Sequence, residues 1–291
     1  MSRDYELLDF GDGRKLERFG AYVVDRPCPT AEGVSRAAPE RWKQASGRFR
    51  RASDGKMQWT STPSDVRMMD TWYFRQREPF RLDLALAPLA SGQVGMFPEQ
   101  ADNWAWIHEQ VCAASRPPRV LNLFAYTGAS TIAAAAGGAD VSHVDAAESA
   151  VIRARGNAAS SGLGDAPIRW IVDDAVKFSR REVRRGRQYD AVILDPPTYG
   201  HGKKGEVWQI WRDLPALLVL CSELTGSRPA FVLLTCHTTG IEASDLEDYL
   251  ADSGLSGRNE KITVESGEMR LRTADGRELP SGAFVRTSNL R

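Results

Sequence analysis

From residue 119 onward, short runs of consecutive apolar residues alternate with longer stretches in which apolar residues recur every three or four positions. A continuous apolar run is typical of a strand buried on both faces, and the wider spacing is typical of a helix that packs on a sheet. The alternation predicts five strands, at residues 119–125, 139–146, 167–172, 189–195 and 228–236. It predicts helices from residue 130, over 148–160 and 175–187, and near 207–223 and 243–253.

The end of the chain departs from this alternation. Two further strand-like runs, residues 259–272 and 282–288, are separated by the turn residues Asp275 and Gly276, with no helix predicted between them. Strands linked by helices form a parallel sheet covered on both faces, whereas an Asp-Gly turn joins antiparallel strands. We therefore predict an α/β fold with a doubly wound, Rossmann-like sheet of seven strands, of which five are parallel and two form a C-terminal antiparallel hairpin.

Residues 5–89 follow a different pattern, in which short aromatic and β-branched pieces are separated by turn sequences. Such pieces are typical of strands joined by tight turns, and the clearest hairpin is predicted at residues 48–61 with Asp54-Gly55 at its tip. We predict a small β-rich N-terminal domain over residues 1–90, suited to substrate recognition, and a second domain over residues 91–291. The second domain is expected to begin with a loop that leads into a helix.

The 291 residues include 38 Lys and Arg against 38 Asp and Glu, so the net charge is zero. This balance excludes the global positive field that dominates non-specific nucleic-acid binding, but two local basic stretches remain, residues 36–51 and 177–187. We interpret each stretch either as solvated surface or as a patch that contacts phosphates. In the first stretch Trp42 and Phe49 interleave with cations, which suits stacking on bases, although an exposed hairpin would have the same pattern.

The chain contains no run that approaches the roughly 18 apolar residues of a membrane span, and its first residues are charged. These features predict a soluble, cytoplasmic protein without a membrane partner. The four cysteines are far apart and lack CxxC spacing, so we expect neither a metal site nor a disulfide framework. The sequence leaves the oligomeric state undetermined.

Candidate ligand-binding residues follow the first three strands of the predicted parallel sheet, where ligands of doubly wound folds bind. Gly128 lies in a loop that can approach a ligand closely, and Asp145 follows 17 residues later, where a carboxylate can accept both hydroxyls of a ribose. Asp173 and Asp174 end the third strand, so one can accept an adenine amino group while the other caps the next helix. No full GxGxxG and no P-loop lysine occur here, so the set predicts a nucleoside ligand that lacks a polyphosphate. For Asp145 alone, the alternative is a helix cap or a solvated charge.

The fourth strand ends in Asp195-Pro196-Pro197, a rigid turn without two backbone N–H donors, whose carbonyls can face a substrate. Tyr199 follows closely and is expected either to contact a planar acceptor or to pack against the fold. His201, Lys203 and Lys204 lie in the next loop, where they contact an anionic substrate or are simply solvated.

In order along the chain, "VLNLFAYTGAS", "VDAAESAVIRARGNA", "VDDAVKF" and "LDPPTYG" resemble four motifs of the class I S-adenosylmethionine-dependent methyltransferases. The resemblance extends from about residue 92 to the end, and within the family the sequence is most similar to the branch of the bacterial 23S ribosomal RNA cytosine-C5 methyltransferases. The four motifs are highly specific to the cofactor and the fold and far less specific to the methyl acceptor. It implies an enzyme that transfers a methyl group from S-adenosyl-L-methionine to a nucleobase in ribosomal RNA, with cytosine C5 as the acceptor atom of that branch.

The resemblance also implies roles for individual residues. Phe124, Tyr126 and Gly128 would hold the methionine part of the cofactor, and Asp145 would bind its ribose. Asp174 would bind the adenine, with Asp173 as the alternative. Gln100, in the segment "FPEQADNW", would be a further cofactor contact. The catalytic turn would comprise Asp195, Pro196, Pro197 and Tyr199, with Asp195 also beside the cofactor.

Cytosine-C5 chemistry requires a thiolate that attacks C6, and Cys236 lies where the similar RNA enzymes carry theirs. His237 would lower the pKa of this thiol, whereas the structural alternative makes Cys236 a small core residue. Two other functions remain open. One is methyl or other alkyl transfer to a small molecule or amino acid, which the zero net charge and the absence of a recognisable RNA-binding appendage favour. The other is a cofactor-binding or RNA-binding scaffold without catalysis.

Overall fold

The structure, a computed structural model, describes residues 4–62, 68–201, 207–256 and 262–289, with only the backbone of His201. The chain divides into two compact units, one comprising residues 1–101 and 270–281 and the other comprising residues 102–269 and 282–291. The sequence placed a boundary between residues 90 and 91; in the structure the first unit continues to Ala101 and includes the tip of the C-terminal hairpin.

The first unit is built on a five-stranded sheet and a separate two-stranded hairpin. The sheet has the order β1-β2-β3-β4-β5, with β3 and β4 parallel and the other neighbours antiparallel. Its strands are β1 (Tyr5–Gly11), β2 (Arg14–Phe19), β3 (Tyr22–Pro27), β4 (Gly47–Arg51) and β5 (Met57–Ser61), and the hairpin pairs β6 (Trp72–Gln76) with β7 (Leu82–Leu86). The predicted hairpin at residues 48–61 is confirmed, since Phe49 pairs with Trp59 and Gly55 at its tip has a φ of +82°.

The predicted stacking surface in the first basic stretch is wrong. Trp42 and Phe49 are both buried, with exposed fractions of 4% and 5%. The indole Nε1 of Trp42 donates to the buried Asp9 carboxylate at 2.8 Å, and the Phe49 ring packs against Trp59 with 5.4 Å between centroids. Aromatic side chains that complete a core have no free face for a base, so these two residues stabilise the sheet.

The second unit contains the predicted seven-stranded sheet, with the order β10-β9-β8-β11-β14-β16-β15. The first five strands in this order, which are β10, β9, β8, β11 and β14, are parallel to one another. Strand β16 runs antiparallel to β14, and this arrangement confirms the predicted fold class. The strands are β8 (Arg119–Leu123), β9 (Asp140–Asp145), β10 (Ile168–Val172), β11 (Ala191–Leu194), β14 (Phe231–Cys236), β15 (Thr263–Arg272) and β16 (Glu278–Ser288). The helices are α1 (Ala101–Ala113), α2 (Ala129–Ala136), α3 (Glu148–Ser160), α4 (Ala175–Arg184), α5 (Ile210–Leu224) and α6 (Ala243–Ser253).

The strand order reverses between β8 and β11, which are direct neighbours. Leu123 pairs with Leu194 at the carboxyl ends of these strands, so the loops that begin at Phe124 and Asp195 leave the sheet side by side. In open α/β sheets such a reversal opens the crevice in which ligands bind. The fold thus brings the glycine loop and the Asp-Pro-Pro turn to one place.

Two predicted helices have different bounds in the structure. The helix expected to reach residue 187 ends at Arg184, because Gly186 adopts a φ of +63° that ends the helical backbone. The helix expected from residue 207 begins at Ile210, because Val207–Gln209 form strand β13, which pairs with β12 (Tyr199–His201). Trp208 is therefore buried on a strand, whereas Trp211, in the first turn of α5, is 48% exposed.

Within the described ranges, no helix has both the length and the apolar character needed to cross a membrane. Among the same residues, His, Cys, Asp and Glu side chains form no cluster of three or more that could hold a metal ion.

Candidate active site

The loop between β8 and α2 has an unusual backbone. Phe124, Tyr126 and Gly128 all have positive φ angles, of +56°, +48° and +90°. The left-handed region costs a residue with a side chain about 1–2 kcal/mol, so the surrounding structure must hold Phe124 and Tyr126 in place. Glycine is needed at position 128 for space as well, because a methyl group there would lie 2.9 Å from Cβ of Ala154 on α3.

Asp145, at the end of β9, fixes this loop from the neighbouring strand. Its Oδ2 accepts a hydrogen bond from the backbone N–H of Tyr126, and its Oδ1 accepts one from Ala147, each at 2.8 Å. Burial raises the pKa of Asp145 above its ordinary value, although both backbone hydrogen bonds act in the opposite direction. Helix α3 begins at Glu148 with Ala147 as its N-cap residue, so Asp145 is not the N-cap. Each carboxylate oxygen can still accept a ligand hydroxyl through its second lone pair.

Of the two aspartates after β10, Asp174 is the helix cap. Its Oδ1 accepts from the backbone N–H of Lys177 at 2.9 Å. Asp173 accepts from the Asp174 N–H through Oδ1 and forms an ion pair with Arg181 through Oδ2 at 2.5 Å. The backbone N–H of Asp173 also donates to the Asp145 carbonyl at 3.1 Å, which places the two strand ends next to each other.

These features fit S-adenosylmethionine, a nucleoside joined to an amino acid. The glycine loop leaves no room for a side chain at position 128, and it leads into α2, whose first turn presents backbone N–H groups that suit a carboxylate. The carboxylates of Asp145, Asp173 and Asp174 lie at the ends of the next two strands and suit hydroxyl and amino groups of a nucleoside.

At the Asp-Pro-Pro turn, several side chains hold Asp195 and the following backbone. The Thr235 hydroxyl donates to Asp195 Oδ1 at 2.6 Å, and His237 Nε2 lies 3.4 Å from the same oxygen. The Pro197 carbonyl, expected to face a substrate, instead accepts from the indole Nε1 of Trp208 at 2.6 Å. Pro196 is buried and Pro197 is exposed.

Trp208 connects the turn to the cofactor loop. Besides its bond to Pro197, its ring packs against Phe124 with 4.8 Å between centroids. Tyr199 is 60% exposed, and its ring stands edge-to-face with the half-exposed Trp211, with 6.2 Å between centroids. Two large aromatic side chains at the surface beside a candidate active site form a hydrophobic face without a core role.

Cys236 lies at the end of β14, but its side chain has no exposed surface and packs in the main core cluster of the sheet. Burial raises the pKa of the thiol, and the nearby Asp195 carboxylate raises it further, while Thr238 acts in the opposite direction through its hydrogen bonds to the sulfur. The expectation that His237 would lower this pKa is therefore wrong. The imidazole faces the Asp195 carboxylate instead.

Four candidates remain: Gln100, His201, Lys203 and Lys204. Gln100 is buried in a short 3-10 helix, Pro98–Gln100, of the first unit. Its role as a cofactor contact stays a prediction. The side chain of His201, and Lys203 and Lys204 altogether, lie outside the described residues.

The threonines that surround the turn were not predicted from the sequence. Thr235 holds Asp195, and the hydroxyls of Thr198 and Thr238 lie 2.7 Å apart and join the turn to the loop after β14. Because the carboxyl ends of parallel strands meet at one edge, the position of Thr235 next to Cys236 could have indicated that Thr235 lies near Asp195. No local signal marks the Thr198–Thr238 contact, which links residues 40 positions apart.

The fold is similar to that of known proteins. A solved S-adenosylmethionine-dependent methyltransferase from Agrobacterium tumefaciens is 36% identical, with a TM-score of 0.88 over 99% of this chain and 91% of that chain. The fold also matches SMU.776, a putative methyltransferase solved in complex with S-adenosylhomocysteine, at 17% identity and a TM-score of 0.71 over 98% and 75% of the two chains.

Curated relatives are also found. Ribosomal RNA large subunit methyltransferase I of Aeromonas salmonicida is 30% identical over 67% of this chain, and the match covers 48% of that protein. The chain thus spans about half the length of the curated relatives it matches. The sequence model of the S-adenosylmethionine-dependent methyltransferases matches residues 29–236. The chain belongs to this family of enzymes, whose methyl donor is S-adenosylmethionine.

Proposed function

We propose that this enzyme methylates a nucleobase in RNA, with ribosomal RNA as the substrate. The observation that carries the proposal is the exposed pair Tyr199 and Trp211, which offers a surface for stacking a planar group. Tyr199 closely follows the Asp-Pro-Pro turn, and Trp211 lies in the first turn of α5. Base stacking on aromatic side chains is the common means by which proteins hold an unpaired base. The rRNA methyltransferase relatives support RNA as the source of that base.

In this proposal the cofactor occupies the crevice at the strand reversal. Phe124, Tyr126 and Gly128 hold its methionine part, and Asp145 accepts its ribose hydroxyls. Asp174 accepts the adenine amino group through the oxygen that does not cap α4. Asp173 is less suited to this role because Arg181 already pairs with it. Gln100 is a further proposed contact of the cofactor.

The cofactor supplies a methyl group already activated on a sulfonium, so the protein must mainly align the acceptor and exclude water. Pro196 and Pro197 fix the turn, and the Trp208 indole locks it through the Pro197 carbonyl. Asp195, with its carboxylate held by Thr235, is the polar group that the turn presents to the acceptor. Cys236 would serve cytosine-C5 chemistry only if the chain moved to expose its thiol.

A small molecule or amino acid as acceptor of a methyl or other alkyl group is the second candidate. The zero net charge favours it, because RNA binding draws much of its affinity from phosphate contacts. The first unit, proposed to recognise the substrate, has its two candidate stacking residues, Trp42 and Phe49, buried in its core.

The test is transfer of a labelled methyl group from S-adenosylmethionine to total RNA and, in parallel, to a small-metabolite extract. We expect label in RNA from the wild-type protein, and none from Asp195→Ala, while both proteins bind S-adenosylhomocysteine in calorimetry. Label confined to the metabolite fraction would move the conclusion to the second candidate. Full transfer by Asp195→Ala would remove the turn from the mechanism.

A further inference from the structure

Asp195 and His237 form a pair that the cytosine-C5 mechanism does not require. His237 Nε2 lies 3.4 Å from Asp195 Oδ1, and Thr235 donates to that same oxygen at 2.6 Å. Both side chains of the pair are about 31% exposed, so solvent or a substrate can reach them. The pair therefore places a carboxylate and an imidazole together at the strand reversal.

A glycine of the last strand lies beside this imidazole. Gly282 lies within β16, immediately before Ala283, which pairs with Cys236 of β14, and it has a φ of +122° that favours glycine. A methyl group at Gly282 would lie 3.1 Å from His237 Nδ1 and only 2.5 Å from the Cys236 carbonyl oxygen. Any side chain at this position would displace the backbone that carries His237.

The positions of the cysteines bear on whether the methyl acceptor is a carbon atom. Carbon methylation at cytosine C5 needs a thiolate that reaches C6, because C5 is not nucleophilic on its own. Cys236 is the cysteine at this end of the sheet, and it has no exposed surface. Cys221 is buried in α5, Cys112 lies on α1, and Cys28 belongs to the first unit.

We propose that the methyl acceptor is a nitrogen or oxygen atom that carries a proton, and that Asp195 and His237 together take up this proton. The acceptor's lone pair bonds to the methyl carbon, and the carbon–sulfur bond breaks with both electrons going to sulfur. The sulfonium becomes a neutral thioether, and the proton passes to the Asp195 carboxylate and its His237 partner. This inference rests on the proposed function only in taking RNA as the carrier of the acceptor.

The test compares His237→Ala and His237→Gln with Cys236→Ala, and uses Cys221→Ala, which removes an equally buried thiol, as the matched control. Binding of S-adenosylhomocysteine, measured by calorimetry, reports that each variant is folded. We expect His237→Ala to lower kcat by about 100-fold to 10,000-fold with unchanged S-adenosylhomocysteine affinity, in the range of general-base losses. Added imidazole should restore part of this loss, which a merely structural role would not allow. Cys236→Ala should retain activity within about threefold of Cys221→Ala.

Mass spectrometry of nuclease-digested RNA identifies the product, and we expect an N-methyl or O-methyl nucleoside. Formation of 5-methylcytidine, loss of activity in Cys236→Ala alone, or wild-type activity in His237→Gln would overturn the proposal. Label found only in small metabolites would refute the RNA function. The His237 variants, measured on that fraction, would still test whether His237 helps to take up the proton of the acceptor. Label in neither fraction would refute both.

Discussion

Gly128 of the cofactor loop and Ala154 of helix α3 approach so closely that a methyl group on Gly128 would lie 2.9 Å from the Ala154 Cβ and 3.3 Å from its Cα. Gly128 also has a φ of +90°, which disfavours any side chain. We therefore expect Gly128→Ala to displace the loop from α3 and to weaken S-adenosylhomocysteine binding at least tenfold in calorimetry, with a loss of stability of about 1–3 kcal/mol.

The matched control is Gly156→Ala in the same helix α3, where an added methyl group meets nothing within 4 Å. This change should leave binding intact and stabilise the protein by up to about 1 kcal/mol, since alanine is the better helix former. Equal affinity of Gly128→Ala and Gly156→Ala would show that the loop does not contact the cofactor.

Asp145 should determine the affinity for the ribose. Asp145→Ala removes a charged acceptor, and each hydrogen bond to such a group contributes about 1.5–3 kcal/mol, so we expect S-adenosylhomocysteine affinity to fall by about tenfold or more. Because burial raises the pKa of Asp145, the wild-type affinity should also decline on acidification at a higher pH than an ordinary aspartate would give. Asp140→Ala, at the opposite end of β9, should bind like the wild type at every pH. An affinity independent of Asp145 would place the ribose elsewhere.

Tyr199 and Trp211 should be needed to bind the methyl acceptor and should not be needed to bind the cofactor. Loss of one stacking surface costs about 1–3 kcal/mol per base, so Trp211→Ala and Tyr199→Ala should each lower kcat/KM for RNA by about 5-fold to 150-fold. Tyr199→Phe keeps the ring and should remain close to the wild type. Val219→Ala, which truncates another exposed side chain of α5, is the control. If Trp211→Ala methylates RNA as fast as Val219→Ala, the aromatic pair does not hold the base.

The sequence predicted the parallel sheet, and the residues that end its strands, well because both depend on local patterns. Continuous apolar runs marked β8 to β11 and β14, and the residues that end these strands, including Asp145 and Asp195, gather at one edge by the geometry of a parallel sheet. The short strands β12 and β13 were missed because three-residue strands carry too little pattern and their pairing depends on the turn before them.

Side-chain environments were predicted less well, since they depend on which distant segments meet. Cys236 and His237 are adjacent in sequence, yet Cys236 points into the core and His237 faces Asp195, as successive residues at a strand end alternate in direction. Trp42 lies among cations along the chain but is buried against Asp9, 33 positions away. Trp211 has an apolar side chain and helical spacing from Trp208, but only Trp208 reaches the core.

The first unit should lose stability at low pH because of a buried carboxylate, Glu17. Glu17 is fully buried and forms a two-bond ion pair with Arg26, with Lys15 at 3.2 Å and the Tyr5 hydroxyl at 3.0 Å. Desolvation opposes ionisation of Glu17, but the Arg26 and Lys15 charges outweigh it and lower the pKa of Glu17 from 4.5 to about 2. A carboxyl group whose folded pKa is depressed stabilises the fold above its unfolded pKa. Its contribution, about 3 kcal/mol, is lost as the pH falls from about 4.5 to 2.

Urea unfolding of the wild type, followed by fluorescence between pH 7 and pH 2.5, should therefore show a loss of stability in this window. Glu17→Gln should be less stable by about 3–5 kcal/mol at pH 7, because Arg26 is left buried without its counter-charge, and its stability should change less between pH 4.5 and pH 2.5. Glu40→Gln, which breaks an exposed pair with Lys43, should change stability by less than about 1 kcal/mol and keep the wild-type pH dependence. The same acid dependence in Glu17→Gln and the wild type would mean that other carboxylates cause the acid loss and that Glu17 is already protonated or unpaired in the folded protein.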